Sequence, residues 1–235
     1  MNKPYFSIFF LLISLNVHSL IPYKATYGLI ASTDLGSIKV GEAEFLLELN
    51  ENDEYFFSSK AFTDSIWKTL YDYSRYEKST GIIIENKLSG RYYDLVEIEK
   101  NKLVKNNKIL INQSNGFAIF NNDSRWESNS KNILDELSVY LELSSDLQKM
   151  PEKNEFNYQV IDEKGIKLVT FISQGKENIT VENTEIKSIK FYSPELDLLV
   201  NVSKEYNYIP LVINRSISKN RFRLSLKEFT ALPLL

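Results

Sequence analysis

The stretch "WKTLYDYSRYEK" at residues 67–78 places Trp67, Tyr71, Tyr73 and Arg75 within nine positions of one another. Rings beside a guanidinium stack on sugars or hold a lipid head group, through offset stacking and cation–π attraction. Under strand alternation Tyr71, Tyr73 and Arg75 share one face and Tyr76 falls on the other. The second tryptophan, Trp126, and Tyr140, on the apolar stripe of an expected helix, complete a set of six ligand-binding candidates: Trp67, Tyr71, Tyr73, Arg75, Trp126 and Tyr140. Packing as core is the competing role for every one of these rings.

Other chemistries are poorly supplied. The chain has no cysteine, and its one histidine, His18, lies in an N-terminal segment expected to be removed. Ser–His and Cys–His nucleophile systems therefore have no base, and no Gly-x-Ser-x-Gly elbow occurs. Without imidazole or thiolate, a metal site would have only oxygen ligands. The acidic groups Glu51–Glu54 and Asp135–Glu136 lack the spacing and turn glycine of a calcium loop. No catalytic residue, metal ligand or cofactor is assigned. The one enzymatic alternative is a pair of carboxylates flanking a glycosidic bond, drawn from Asp72, Glu85, Asp94 and Glu97.

The N-terminus reads as an address. Lys3 heads the chain, Tyr5 to Leu15 is apolar apart from Ser7 and Ser14, and Ser19 supplies a small residue at a cut site. That is the pattern of a secretory signal peptide over 1–19. The apolar run is well short of the ~20 residues needed to span a bilayer as a helix. The expected mature chain is a single β-rich domain, 20–235, located in the periplasm and without a transmembrane segment. A formal charge of −3 leaves no basic excess for a phosphate backbone, so nucleic acid is excluded as a partner.

The elements that must hold the aromatic residues follow from periodicity. In "GEAEFLLEL" Ala43, Phe45, Leu47 and Leu49 fall on one face and Glu42, Glu44 and Glu48 on the other; "RFRLSLKEF" repeats the pattern. Similar runs cover 23–30, 92–98, 108–111, 156–161, 166–172, 185–191, 198–202 and 208–213. The short polar links "NEND" (50–53), "ENK" (85–87), "KNNK" (105–108) and "DEKG" (162–165) suit antiparallel neighbours. Helical spacing of Ile133, Leu137, Tyr140 and Leu141 predicts one main helix at 132–147, capped by Asn132 and ended by Met150-Pro151. A short helical insert is expected near 64–70. The fold class is mainly β: a strongly curved antiparallel sheet, a half-barrel or open barrel of about ten strands, with the helix packed on it or plugging it.

The order of several motifs carries a resemblance. "IPYKATYGL" follows the leader, then "KVGEAEF" (39–45), the insert "DSIWKTLYDYSRYEK" (64–78), "LDELSVYL" (134–141), "ENTEIKSIKFY" (182–192) and "YIPLVI" (208–213). Together they resemble the exported bacterial domain-of-unknown-function family 3108 over nearly the whole mature chain. Two features depart from that pattern: Glu182-Asn183-Thr184 replaces the usual Pro-x-Gly turn, and "DLLVNVS" lacks an aromatic. The resemblance implies a periplasmic β-rich protein and brings no catalytic residues. The expected function is a non-catalytic envelope protein binding an apolar or amphipathic component, such as a lipid or lipoprotein-like partner, in a concave sheet. Two alternatives are a carboxylate-dependent hydrolase of envelope glycans and an assembly partner that captures another protein by strand addition.

Overall fold

Alternation of side chains between a dry and a wet face runs through most of the chain. The computed structural model describes residues 20–33, 36–68, 72–128, 132–181, 183–217 and 220–235. The expected leader, 1–19, lies outside them. The first strands are β1 (Tyr23–Thr33), β2 (Gly36–Leu49), β3 (Glu54–Thr63), β4 (Tyr73–Ile84) and β5 (Lys87–Glu99). They are followed by β6 (Lys102–Asn112), β7 (Phe117–Phe120), β8 (Ser124–Glu127) and β9 (Ile133–Asp135). Beyond a helix come β10 (Glu155–Asp162), β11 (Gly165–Val181), β12 (Thr184–Ser193), β13 (Leu198–Val202), β14 (Pro210–Ile217) and β15 (Asn220–Ala231).

These form one curved, unclosed sheet of fifteen strands, ordered β8-β7-β6-β5-β4-β3-β2-β1-β15-β14-β13-β12-β11-β10-β9. The expected count of about ten is too low. Strands β3 and β4 carry polar and aromatic residues on both faces, so their period is obscured in the sequence. "KNNK" is not a link but the middle of β6; the turn before it is at Lys100-Asn101, both at positive φ. Asn tolerates that left-handed geometry through local hydrogen bonding, which makes it a turn former.

In β2 the predicted inward residues Ala43, Phe45, Leu47 and Leu49 are all buried. Phe45 meets the Tyr27 and Phe57 rings at centroid distances of 4.9 and 5.8 Å, the latter edge-on. Such aromatic pairs add roughly 0.5–1.5 kcal/mol each beyond area burial.

The expected helix at 132–147 divides into two elements. Ile133–Asp135 forms β9, which pairs in parallel with Gln159–Ile161 of β10, an exception to the antiparallel rule. The helix proper, α2, spans Ser138–Lys149 and stops before Met150-Pro151 as predicted. Asn132 is not its cap. The Asp135 carboxylate accepts from the backbone N–H groups of Leu137 (2.9 Å) and Ser138 (2.7 Å), which satisfies two of the first-turn donors. Most of α2 is buried, so it fills the hollow of the sheet. The insert appears as α1, Ser65–Lys68, between β3 and β4; residues 69–71 lie outside the described set. Among the described residues no helix is long and apolar enough to cross a membrane.

The ends of the sheet meet through side chains. Gln113, just past β6, accepts from the Ile133 N–H (2.9 Å) and donates to the Ile133 carbonyl (2.6 Å), in place of a second strand partner for β9. Glu163 of the β10–β11 turn accepts from Lys105 and Asn107 of β6, each at 3.1 Å.

Candidate functional site

Neighbouring strands bring alternate residues into rows across the concave face. One row runs Phe45, Ser59, Glu77, each directly opposite the next in register. The next runs Ala61, Arg75, Glu97, and Tyr73 stands opposite Glu99. From the other half of the sheet come Leu29 and Leu224, also paired, with Ile213 beside them, and Arg215 opposite Phe222. Glu136, Leu137 and Tyr140 close the space from the side of α2. Together they line a cavity of about 150 Å³. One wall is apolar, from Phe45, Ala61, Ile213, Phe222 and Leu224; the other is charged.

The charged wall is an ordered network. Arg75 donates from Nε (2.9 Å) and Nη2 (3.0 Å) to the two carboxylate oxygens of Glu77, and from Nη1 to Glu97 (3.1 Å). Tyr93 Oη donates to Glu77 Oε1 at 2.7 Å. Burial works to raise the Glu77 carboxyl, but the Arg75 charge and the hydrogen bonds from Arg75 and Tyr93 outweigh it, so Glu77 is held below its ordinary value. Burial likewise opposes the Arg75 charge, and Glu77 overrides it and holds the guanidinium protonated. Tyr73 rises, chiefly by burial. Paired this way, buried charges meet their desolvation cost with several charge-assisted bonds. Across the cavity Arg215 Nη2 donates to Glu136 Oε1 at 2.8 Å. Burial pushes the Tyr140 hydroxyl up to about 12.

A second polar cluster anchors α2 to the sheet. Ser79 Oγ donates to Asp135 Oδ2 at 2.6 Å, and the Leu88 N–H donates to Glu142 at 2.9 Å. Burial raises Asp135 to about 6 and Glu142 to about 7, because the accepted hydrogen bonds only partly compensate for lost water. Both side chains are sealed from solvent, at 0% and 1% exposure.

The structure brings Tyr73, Arg75 and Tyr140 into one cavity. Trp67 does not line it. It sits half-buried in α1, in the connection that leads into Tyr73. Tyr71 lies outside the described residues. Trp126 packs elsewhere, on Phe120 at 5.7 Å and against Gly165 at the start of β11. Tyr76 points away, as alternation requires, with Lys60 over its ring at 5.6 Å. The acids Asp72, Glu85, Asp94 and Glu97 do not converge: Glu85 is in the β4–β5 turn and Glu97 near the far end of β5.

Glu77, Glu136 and Arg215 are functional candidates that sequence reading missed. Arg215 had a signal, as a cation ending the apolar run "PLVIN" of β14. Glu77 is two residues beyond Arg75 on the same face, visible only once 73–84 is assigned as strand.

No family model matches the chain, and no curated protein matches it. Among solved structures it is similar to a crystal structure described as a beta-barrel-like protein of domain of unknown function DUF1849 from Brucella abortus. The TM-score is 0.58 at 9% sequence identity, covering 91% of this chain and 99% of that one. At that identity the likeness concerns fold alone.

Proposed function

We propose that this chain is a non-catalytic protein of the bacterial periplasm whose concave sheet seats one end of an apolar or amphipathic envelope component. The observation that carries this reading is the cavity, in which an apolar wall faces a charged one. Ligand sites have that composition: mostly apolar lining with a few fixed polar groups. Its volume is close to the ~150 Å³ that accepts a single benzene-sized ring in an engineered cavity, so it takes a ring or a branched end and not a whole diacyl lipid. The ordered motifs that resemble family 3108, and the leader-like segment at 1–19, support the periplasmic location.

The state of the carboxylates supports a binding role over hydrolysis. Glu77 is clamped ionised by Arg75 and Tyr93, so it is a poor proton donor. The two acids raised toward neutrality, Asp135 and Glu142, are spent on backbone and hydroxyl donors away from the cavity. A general acid needs both a tuned pKa and access to substrate.

The test is to express the full chain with its leader in a Gram-negative host, purify it from the periplasm, and record native mass spectra. The expected mature N-terminus is Leu20, with a bound small molecule that denaturation releases. A cytoplasmic, unprocessed chain carrying nothing would reject the reading.

A further inference from the structure

The polar wall is not uniformly satisfied, and the groups left over describe the head of the ligand. Arg75 uses three of its N–H groups on Glu77 and Glu97. Arg215, whose guanidinium also presents five donors, makes one hydrogen bond within the described residues, to Glu136. Tyr140 is 8% exposed, and its hydroxyl has no hydrogen-bond partner among the described residues. Tyr140 lines the same cavity as Arg215, Glu77, Glu136 and Arg75. The Tyr140 hydroxyl is not one of the sealed polar atoms that lack a partner, so it is open to the cavity and free to donate to a ligand.

We propose that the cavity receives an uncharged head bearing a carbonyl or hydroxyl oxygen, which accepts hydrogen bonds from Arg215 and Tyr140 while a ring-sized apolar body rests on Phe45, Phe222 and Leu224. This deepens the binding reading and rests on it. Charge decides against an anionic head, and hydrogen-bond capacity against a cationic one. Glu77, Glu97, Glu99 and Glu136 outnumber Arg75 and Arg215 on the lining. A carboxylate or phosphate would therefore enter against an excess of its own sign, where screening is weak. An ammonium head would meet the like charge of Arg215, and it offers no acceptor to Arg215 or Tyr140. A neutral oxygen meets neither penalty and satisfies both waiting groups.

Three probes of one ring size isolate the head: benzamide, benzoate and benzylammonium, titrated at pH 7 into the purified mature protein by calorimetry. Benzamide is expected to bind at least tenfold more tightly than either ion. Tyr140→Phe, which keeps the ring in the core, and Arg215→Met should each weaken benzamide about five- to tenfold with an unchanged thermal melt for Tyr140→Phe. Benzoate or benzylammonium binding as tightly as benzamide, benzamide unaffected by Tyr140→Phe, or no binding by any probe overturns the proposal. If the probes fail while a periplasmic molecule is still retained, the head assignment falls and the binding role stands. If nothing is retained either, both fall.

Discussion

Arg75 and Glu77, two residues apart on β4, face each other through a two-bonded pair of 2.9 and 3.0 Å on the concave side of the sheet. The pair is half of a network, because the same guanidinium reaches Glu97 directly across on β5. Removing one member leaves a charge with little water to take its place. Arg75→Met is expected to cost about 3–5 kcal/mol at pH 7, whereas Arg75→Met/Glu77→Gln recovers most of the loss. Urea unfolding of the single and double variants checks this; a single variant within about 1 kcal/mol of the parent would show that the network is not stabilising.

Glu142 gives stability a pH dependence of known sign. Its carboxyl titrates from an ordinary 4.5 up to about 7 in the fold. Between those values the native state holds a proton that the unfolded chain has released, so raising the pH lowers stability across that window and leaves it level above. Asp135, raised to about 6 from 3.8, acts in the same direction at lower pH. Glu142→Gln keeps an oxygen for the Leu88 N–H and removes the charge. It should gain about 1–3 kcal/mol at pH 8 and change little at pH 4, read from denaturant midpoints at the two pH values. A variant with the parent's slope from pH 5 to 7 would contradict this origin.

Much of the fold was legible because one face of most strands is dry. Ala43, Phe45, Leu47 and Leu49 announce β2 by period alone, and 198–202 matches β13 residue for residue. Strand β4 was not legible: "YSRYEKSTGIII" places Tyr73, Arg75 and Glu77 inward, since the charged wall lies inside the hollow, and polar residues inside read as polar residues outside. The start of α2 failed for a different reason. Ile133 and Leu134 fit a helical stripe, but the parallel pairing with β10, a long-range contact, claims them first. Of the residues that line the cavity, Tyr73, Arg75 and Tyr140 are the ones that aromatic clustering and helical spacing single out in the sequence. Trp126 flanks the aromatic hairpin in the sequence, but β8 carries it to Phe120 and Gly165, away from the cavity.

The side-chain seam at β9 makes a local prediction. Gln113→Leu removes both bonds to Ile133 and its bond to the Gly90 carbonyl. The expected cost is roughly 1–3 kcal/mol. Hydrogen exchange at the Ile133 amide should accelerate well beyond that at the Val160 amide of the adjacent strand. Equal protection at Ile133 in both proteins would mean that the sheet edge is sealed by packing and not by the amide.

Gly165, the first residue of β11, packs against Trp126. Its φ is +126°, and a Cβ there would stand 3.2 Å from the indole nitrogen. Gly165→Ala is therefore strained in the backbone and crowded at the ring. A loss of about 1–3 kcal/mol with a shift in tryptophan emission is expected. Unchanged emission would place the indole away from the turn.

The account stands on the cavity as the binding site, and filling it tests that most directly. Ala61 is half-buried on the apolar wall, opposite Arg75 and outside the charge network. Ala61→Phe occupies the space without disturbing a hydrogen bond. Native mass spectrometry of parent and variant, purified in parallel from the periplasm with matched thermal melts, should show a bound molecule in the parent and none in Ala61→Phe. The same molecule retained at the same level in both would contradict the account.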